Sequence, residues 1–368
     1  MIKIFCFLTG CLTLLVLMCG TAEAWDPPLV VTINYIKFNH TTGSSTNDAL
    51  DIKEDYSTTI TAPEWTSDVS KEFAYIMNQS SRTIKATFTH NQDIGEIETM
   101  HIQATYTGAN PIGNVPLTEV NFNGAITSNE TTFTTSGTVP NSVNNYDYYW
   151  HWTVNKVNGV TQSPGISIGN THHICYSLLR QPISGRVFSD GKTWSIILKK
   201  ACSWAQGENT DVNVATEITE DLYYAQDQDG DIDYDLDKQW GESGVIEVEN
   251  FLNALENSSN VTANCTDLAQ LFNTFTEAVG CTTMYMNIQN TNWPNIFGTF
   301  FDPPGNAEST EYRELTSHSH GFRNARVFDS CVKFGSGIPV NMLQVDYEDS
   351  LIVTYSVNYH QPLFASPY

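Results

Sequence analysis

The 368-residue chain carries 17 Lys and Arg against 41 Asp and Glu, a formal charge of −24. A field of that sign repels phosphate backbones, which excludes nucleic-acid binding and leaves solubility as the plain role of the charge. A composition 40% hydrophobic and 12% aromatic supplies ample core material, and the length suits two domains.

The chain opens with Lys3, an apolar run from Ile4 to Met18, and a small-residue end at Thr21-Ala22-Glu23-Ala24. This is the layout of a cleavable signal peptide over residues 1–24, which predicts a secreted, extracytoplasmic protein. The apolar run is short for a bilayer span, and no later segment is long and apolar enough to be one. A lipoprotein anchor at Cys19 is the rival reading, and Met18 is a poor small-residue neighbour for it. Cys6, Cys11 and Cys19 leave with the signal, so Cys175, Cys202, Cys265, Cys281 and Cys331 remain. An odd count in an oxidising compartment predicts one unbridged, reactive thiol. Sequons at Asn39, Asn78, Asn129, Asn257, Asn260 and Asn264 matter only in a glycosylating host.

Residues 29–160 are rich in Thr, Asn, Ser and Tyr and alternate with period two. Ile33 and Tyr35, then Ile84, Ala86 and Phe88, then Ile102, Ala104 and Tyr106 each place apolar groups on one strand face. Turn residues at Asn110-Pro111, Gly124 and Asn158-Gly159 separate the runs. The pattern predicts an all-β, immunoglobulin-like sandwich over residues 25–175. Tyr146, Tyr148, Tyr149, Trp150 and Trp152 read as strand packing rather than a carbohydrate platform.

The period then changes. Trp194, Ile197, Leu198, Ala201, Cys202 and Ala205 predict a helix that stops at Gly207, and Val245, Val248, Phe251, Leu252 and Leu255 predict a second. Leu268, Leu271, Phe272, Phe275 and Val279 form the best-defined stripe. Asn264 is placed to cap it with Asp267 in a capping-box arrangement, and Gly280 to end it. Alternation at Met284, Met286 and Ile288, a short extended stretch at 327–329, and a closing strand over 351–359 complete an α+β domain over residues 176–368.

Cys265 falls in the first turn of the third helix, where unpaired N–H groups and the macrodipole favour thiolate and can hold an oxyanion. A thiolate nucleophile needs an imidazole, and the imidazole needs an orienting group. If 317–331 forms two neighbouring strands turning near Arg323-Asn324, His320 and Asp329 come opposite each other. His318 has the same strand parity and is the rival base.

Asn264-Cys265-Thr266-Asp267-Leu268-Ala269, running on to Val279-Gly280-Cys281, resembles the nucleophile helix of the transglutaminase-like superfamily. His320-Gly321-Phe322 and Val327-Phe328-Asp329 resemble its histidine and aspartate strands, in the same Cys, His, Asp order. The resemblance covers roughly residues 190–335. It implies a papain-like core in which Cys265, His320 and Asp329 form the catalytic set. The tryptophan familiar after the histidine is missing, and the family includes cross-linkers, peptidases, deamidases and inactive scaffolds. With Cys265 as the unbridged thiol, Cys281–Cys331 and Cys175–Cys202 are the suggested bridges; sequence alone does not fix connectivity.

Two further patterns are weaker. Asp227, Asp229, Asp231 and Asp233 alternate as calcium ligands can, but Gly230 comes too early for an EF-hand and Lys238 stands where its closing glutamate belongs. Calcium is therefore an optional expectation, and no cofactor is required. His172-His173 beside Cys175 lacks a second ligand cluster for zinc and reads as strand interior. The function expected is a secreted cysteine enzyme acting through a thioester on amide or peptide bonds of a protein or peptide substrate. The alternative is a non-enzymatic extracellular adhesion or assembly protein with an inactive core.

Overall fold

The computed structural model describes residues 27–41, 47–80, 82–224, 232–234, 240–242, 245–257, 261–290, 317–331, 337–351, 357–359 and 366–367. The expected signal peptide and Cys19 lie outside them. Among the described residues, no helix is long and apolar enough to cross a membrane.

The first half is β-structure. Its strands are β1 (Val31–Lys37), β2 (Trp65–Thr66), β3 (Phe73–Ile76), β4 (Thr83–His90) and β5 (Thr99–Gly108). They are followed by β6 (Val115–Asn121), β7 (Thr131–Thr134), β8 (Asn144–Val157) and β9 (Val160–Leu178). One sheet runs β2-β1-β4-β7 and the other β3-β9-β8-β5-β6. Alternation decides what is inside: Ile84, Ala86 and Phe88 on β4 and Tyr148, Trp150 and Trp152 on β8 are buried, while Tyr149 between them is exposed. Residues of both sheets share one apolar cluster. Its two indoles are satisfied, Trp150 Nε1 donating to the Gly113 carbonyl at 3.0 Å and Trp152 Nε1 to Thr171 Oγ1 at 3.0 Å. Tyr106, expected on the buried face of β5, is exposed. Pairing of β5 with β6 ends at Ala104–Val115, so the strand outruns the core there. Asn158-Gly159, both at positive φ, turns β8 into β9, as the two-residue hairpin needs.

The second half begins with α1 (Ser195–Trp204) and α2 (Asp211–Tyr224), then β10 (Ile232–Tyr234), β11 (Gly241–Glu242), β12 (Val245–Ile246) and α3 (Val248–Asn257). After β13 (Val261–Ala263) come α4 (Cys265–Ala278), β14 (Met284–Asn290), β15 (Ser317–Arg323) and β16 (Arg326–Phe328). The last elements are β17 (Met342–Leu343), α5 (Gln344–Leu351), β18 (Val357–Tyr359) and β19 (Ser366–Pro367). The helix expected from Val245 starts instead at Val248, because Val245 and Ile246 pair with β11 and β19. The closing strand expected over 351–359 is the short β18, with 352–356 outside the described residues. Sequence reading passed over α2, although Val214, Ala215, Ile218 and Leu222 are spaced as a buried helical stripe. Thr210 Oγ1 accepts from the Asn213 N–H at 3.2 Å and caps it.

A five-stranded sheet of order β17-β16-β15-β14-β18 carries α4. The second apolar cluster gathers α1, α2, α3 and α4, and also takes Leu50, Ile52, Ala74 and Val143 from the first half. Buried surface therefore does not divide cleanly between residues 175 and 176. On β9, Cys175 belongs to one cluster and Tyr176 and Leu178 to the other.

Nearly every residue of α4 is buried, and β15 approaches it closely. Thr266 Oγ1 lies 3.3 Å from Ser319 Oγ, and a Cβ on Gly321 would stand 2.3 Å from the Phe272 ring and 2.8 Å from the Phe328 carbonyl oxygen. Glycine is what lets the strand reach the helix. Gly321→Ala should destabilise the protein by about 1–3 kcal/mol through overpacking; a lowered chemical-denaturation midpoint would show it, and an unchanged midpoint would mean the contact is slack.

Candidate active site

The start of α4 is fixed by its cap. Asn264 Oδ1 accepts from the Asp267 N–H at 2.9 Å, and Asp267 Oδ2 accepts from the Asn264 N–H at 3.1 Å. Asp267 Oδ1 also accepts from the Trp240 N–H at 2.9 Å, and the Trp240 indole donates to the Thr262 carbonyl at 2.6 Å. Burial raises the Asp267 carboxyl to about 6 despite these donors. The bonds hold Cys265, the first residue of the helix and 7% exposed, in one place.

On β15, His318 Nε2 donates to Asp329 Oδ2 at 2.8 Å, and both side chains are buried. Burial by itself would lower the His318 pKa. The Asp329 charge and hydrogen bond, together with a hydrogen bond and charge from Cys265, overcome that and raise it to about 10. Asp329 is held below the usual carboxylate range: burial pushes it up, and His318 more than compensates. Asp329 Oδ1 accepts from the Cys331 N–H at 2.8 Å, and Tyr347 donates its hydroxyl to Oδ2. His318 and Asp329 are thus directly bonded, and Cys265 lies near enough to act on the imidazole.

The pairing expected between His320 and Asp329 is not formed. In the register of β15 with β16, Gly321 faces Phe328, so a continued strand would set Asp329 opposite His320. Pairing stops at Phe328, and the Asp329 N–H donates instead to the Pro339 carbonyl at 2.9 Å. With its backbone taken there, the carboxylate reaches the diagonal neighbour, His318. His320 is buried, its ring 6.3 Å from that of His318 and 5.1 Å from that of Tyr347. Neither of its nitrogens has a hydrogen-bond partner among the described residues. Burial lowers its pKa to about 3, with Asp329 pulling it up and His318 pushing it down.

The five cysteines among the described residues are all unbridged thiols, so the suggested Cys281–Cys331 and Cys175–Cys202 disulfides are absent. The first is forbidden by α4. Cys281 follows its C-terminal end and donates to the Asp211 carbonyl at 3.2 Å, whereas the Cys331 thiol points at the Cys265 carbonyl 3.9 Å away. A helix of 14 residues separates them by about 20 Å at 1.5 Å per residue. Burial raises the Cys175 and Cys202 thiols, and Cys202 raises Cys175 further.

Of the calcium candidates, Asp227, Asp229 and Asp231 lie outside the described residues, and Asp233 sits on β10 across from Thr262 of β13. His172 and His173 point to opposite faces of β9: His172 meets Asp147 at 2.7 Å at the surface, and His173 meets Thr171 Oγ1 at 2.7 Å in the core. Among the described residues no three His, Cys, Asp or Glu side chains are grouped to hold a metal. Tyr347 and the Cys331 N–H were not foreseen. The Cys331 N–H reaches Asp329 Oδ1 within a local turn two residues on, while Tyr347 reaches Oδ2 from α5, for which the sequence has no local signal.

No protein-family model and no curated protein matches the chain. Among solved structures, the crystal structure of red sea bream transglutaminase aligns with a TM-score of 0.35 at 11% identity, over 70% of this chain and 49% of that one. The chain thus aligns with about half the length of that protein.

The two histidines carry opposite stability signatures. Unfolded, His320 takes up a proton as the pH falls below 6.5; folded, it does so only near 3. Between those values the unfolded chain binds more protons, so stability falls as the pH falls. His318 contributes stability that is complete below 6.5 and lost as the pH rises through about 10. His320→Gln should flatten the acid side of a plot of denaturation midpoint against pH; an equally steep acid side in the variant would refute a neutral, buried His320.

Proposed function

We propose that this chain is an exported cysteine enzyme of the transglutaminase-like kind, acting on amide or peptide bonds of proteins through a thioester on Cys265. The carrying observation is the buried His318–Asp329 hydrogen bond at 2.8 Å, with Cys265 near enough for its charge to act on the imidazole. In this reading His318, not His320, is the base. With Nε2 committed to Asp329, the proton from Cys265 is taken on Nδ1 and later returned to the leaving amine. Asp329 orients the ring and supports its charged form. The Cys265 N–H, at the positive end of α4, is assigned the oxyanion.

The β-rich first half is proposed as an immunoglobulin-like sandwich alongside this core. The thioester is then resolved by water in a peptidase or deamidase, or by an amine in a cross-linker. The resemblance of the Asn264–Ala269 segment to the superfamily's nucleophile helix supports the assignment, together with the order Cys, His, Asp along the chain.

Covalent labelling of Cys265 by an amide-mimicking electrophile tests the assignment. His318→Ala should slow labelling by about 10²–10⁴-fold, the usual worth of general base catalysis. His320→Gln should cost less than about tenfold, since neither ring nitrogen of His320 has a hydrogen-bond partner among the described residues. Equal losses, or a larger one at His320, would overturn the choice of base.

A further inference from the structure

Asp329 has one carboxylate oxygen for two donors. His318 Nε2 and the Tyr347 hydroxyl both end on Oδ2, while Oδ1 is engaged by the Cys331 N–H. Tyr347 lies on α5, immediately after β17, which pairs with β16 through Arg326–Leu343 and Val327–Met342. Its ring is fully buried and packs on His320 at 5.1 Å. A buried phenol needs an acceptor. This one is spent on the carboxylate that serves the imidazole, rather than on one of the many backbone carbonyls a core tyrosine could use.

We propose that Tyr347 is a positioning residue of the site: its hydroxyl fixes Asp329 Oδ2 at the His318 ring and withdraws part of that oxygen's charge from the imidazole. The inference rests on the acyl-transfer reading above. Two consequences follow from shared acceptance. The carboxylate is held by donors from three segments (β15, the turn after β16, and α5), so it cannot swing away when His318 gives up its proton. The oxygen is also a weaker partner for His318 than it would be with the imidazole alone, which keeps the imidazolium acidic enough to return its proton to a leaving amine. Among the described residues, the titratable groups around the pair are Cys265 and Asp267 on α4, Cys331 after β16, His320 on β15 and Tyr347 itself.

The test is the pH dependence of Cys265 carbamidomethylation by iodoacetamide in the full chain, read by mass spectrometry of the Cys265 peptide. Removing the hydroxyl in Tyr347→Phe keeps the ring in place and leaves Oδ2 to His318 alone. The upper inflection, where the imidazolium loses its proton, should rise by about 0.5–1 pH unit, the equivalent of one hydrogen bond. Site-specific 3-fluorotyrosine at position 347, a stronger donor of nearly the same shape, should move it the other way. In an Asp329→Asn background, Tyr347→Phe should produce no further shift, because the hydroxyl acts through the carboxylate. An upper inflection unmoved by both Tyr347 changes, or lowered in Tyr347→Phe, overturns the inference. A wild-type Cys265 that titrates as an ordinary single thiol overturns instead the acyl-transfer reading on which it stands.

Discussion

The His318–Asp329 pair is the interaction on which the second half of the chain is arranged. Taking two charges out of water costs several kcal/mol per ion, and a single contact between them rarely repays it. Here repayment is distributed: Tyr347 and the Cys331 N–H satisfy the carboxylate, and Cys265 supports the imidazole. Each contributor arrives on a different element. The pair therefore holds α4, β15, the turn after β16 and α5 in one arrangement, and loss of any donor leaves a buried group undersatisfied.

A second constraint brings those elements within reach. Helix α4 is buried almost all round, so it cannot rely on one apolar stripe and must also satisfy polar groups inside the core. Asn273 donates to Thr283 Oγ1 at 3.1 Å, and the Thr283 N–H donates to Glu277 at 3.1 Å. Glu277 in turn meets Arg186 at 3.3 Å. Burial nonetheless raises the Glu277 carboxyl to about 7, with Arg186 opposing it. At the other end, the Asn264–Asp267 box anchors the first turn. Between the two, Gly321 lets β15 sit against Phe272. The position of Cys265 is the product of these three fixings, so its placement tolerates little slack.

Much of this is written locally. The Asn264 cap, its partner Asp267, the apolar stripe and the terminating Gly280 are all neighbours in sequence, so α4 and the place of Cys265 on it follow from short-range chemistry. The same holds for the β8–β9 hairpin at Asn158-Gly159 and for the inward alternation of Tyr148, Trp150 and Trp152. Where neighbours compete, local reading fails. Val245 and Ile246 suit a helix as well as a strand, and their pairing with β11 and β19 decides.

The sequence by itself determined a cysteine at a helix start, a helix stiff enough to carry it, and two histidines of one parity ahead of an aspartate. Parity repeats every two residues and cannot say which histidine the aspartate meets. That was decided by tertiary structure. The Pro339 carbonyl takes the Asp329 N–H, pairing of β16 with β15 stops, and the carboxylate turns to His318, where the hydroxyl of Tyr347 reaches it from α5. The pairing of cysteines was likewise beyond the sequence, because the length of α4 sets Cys281 and Cys331 at opposite ends of the helix. A hydrogen bond at the end of a strand and the span of a helix are properties of the assembled chain, not of any window along it.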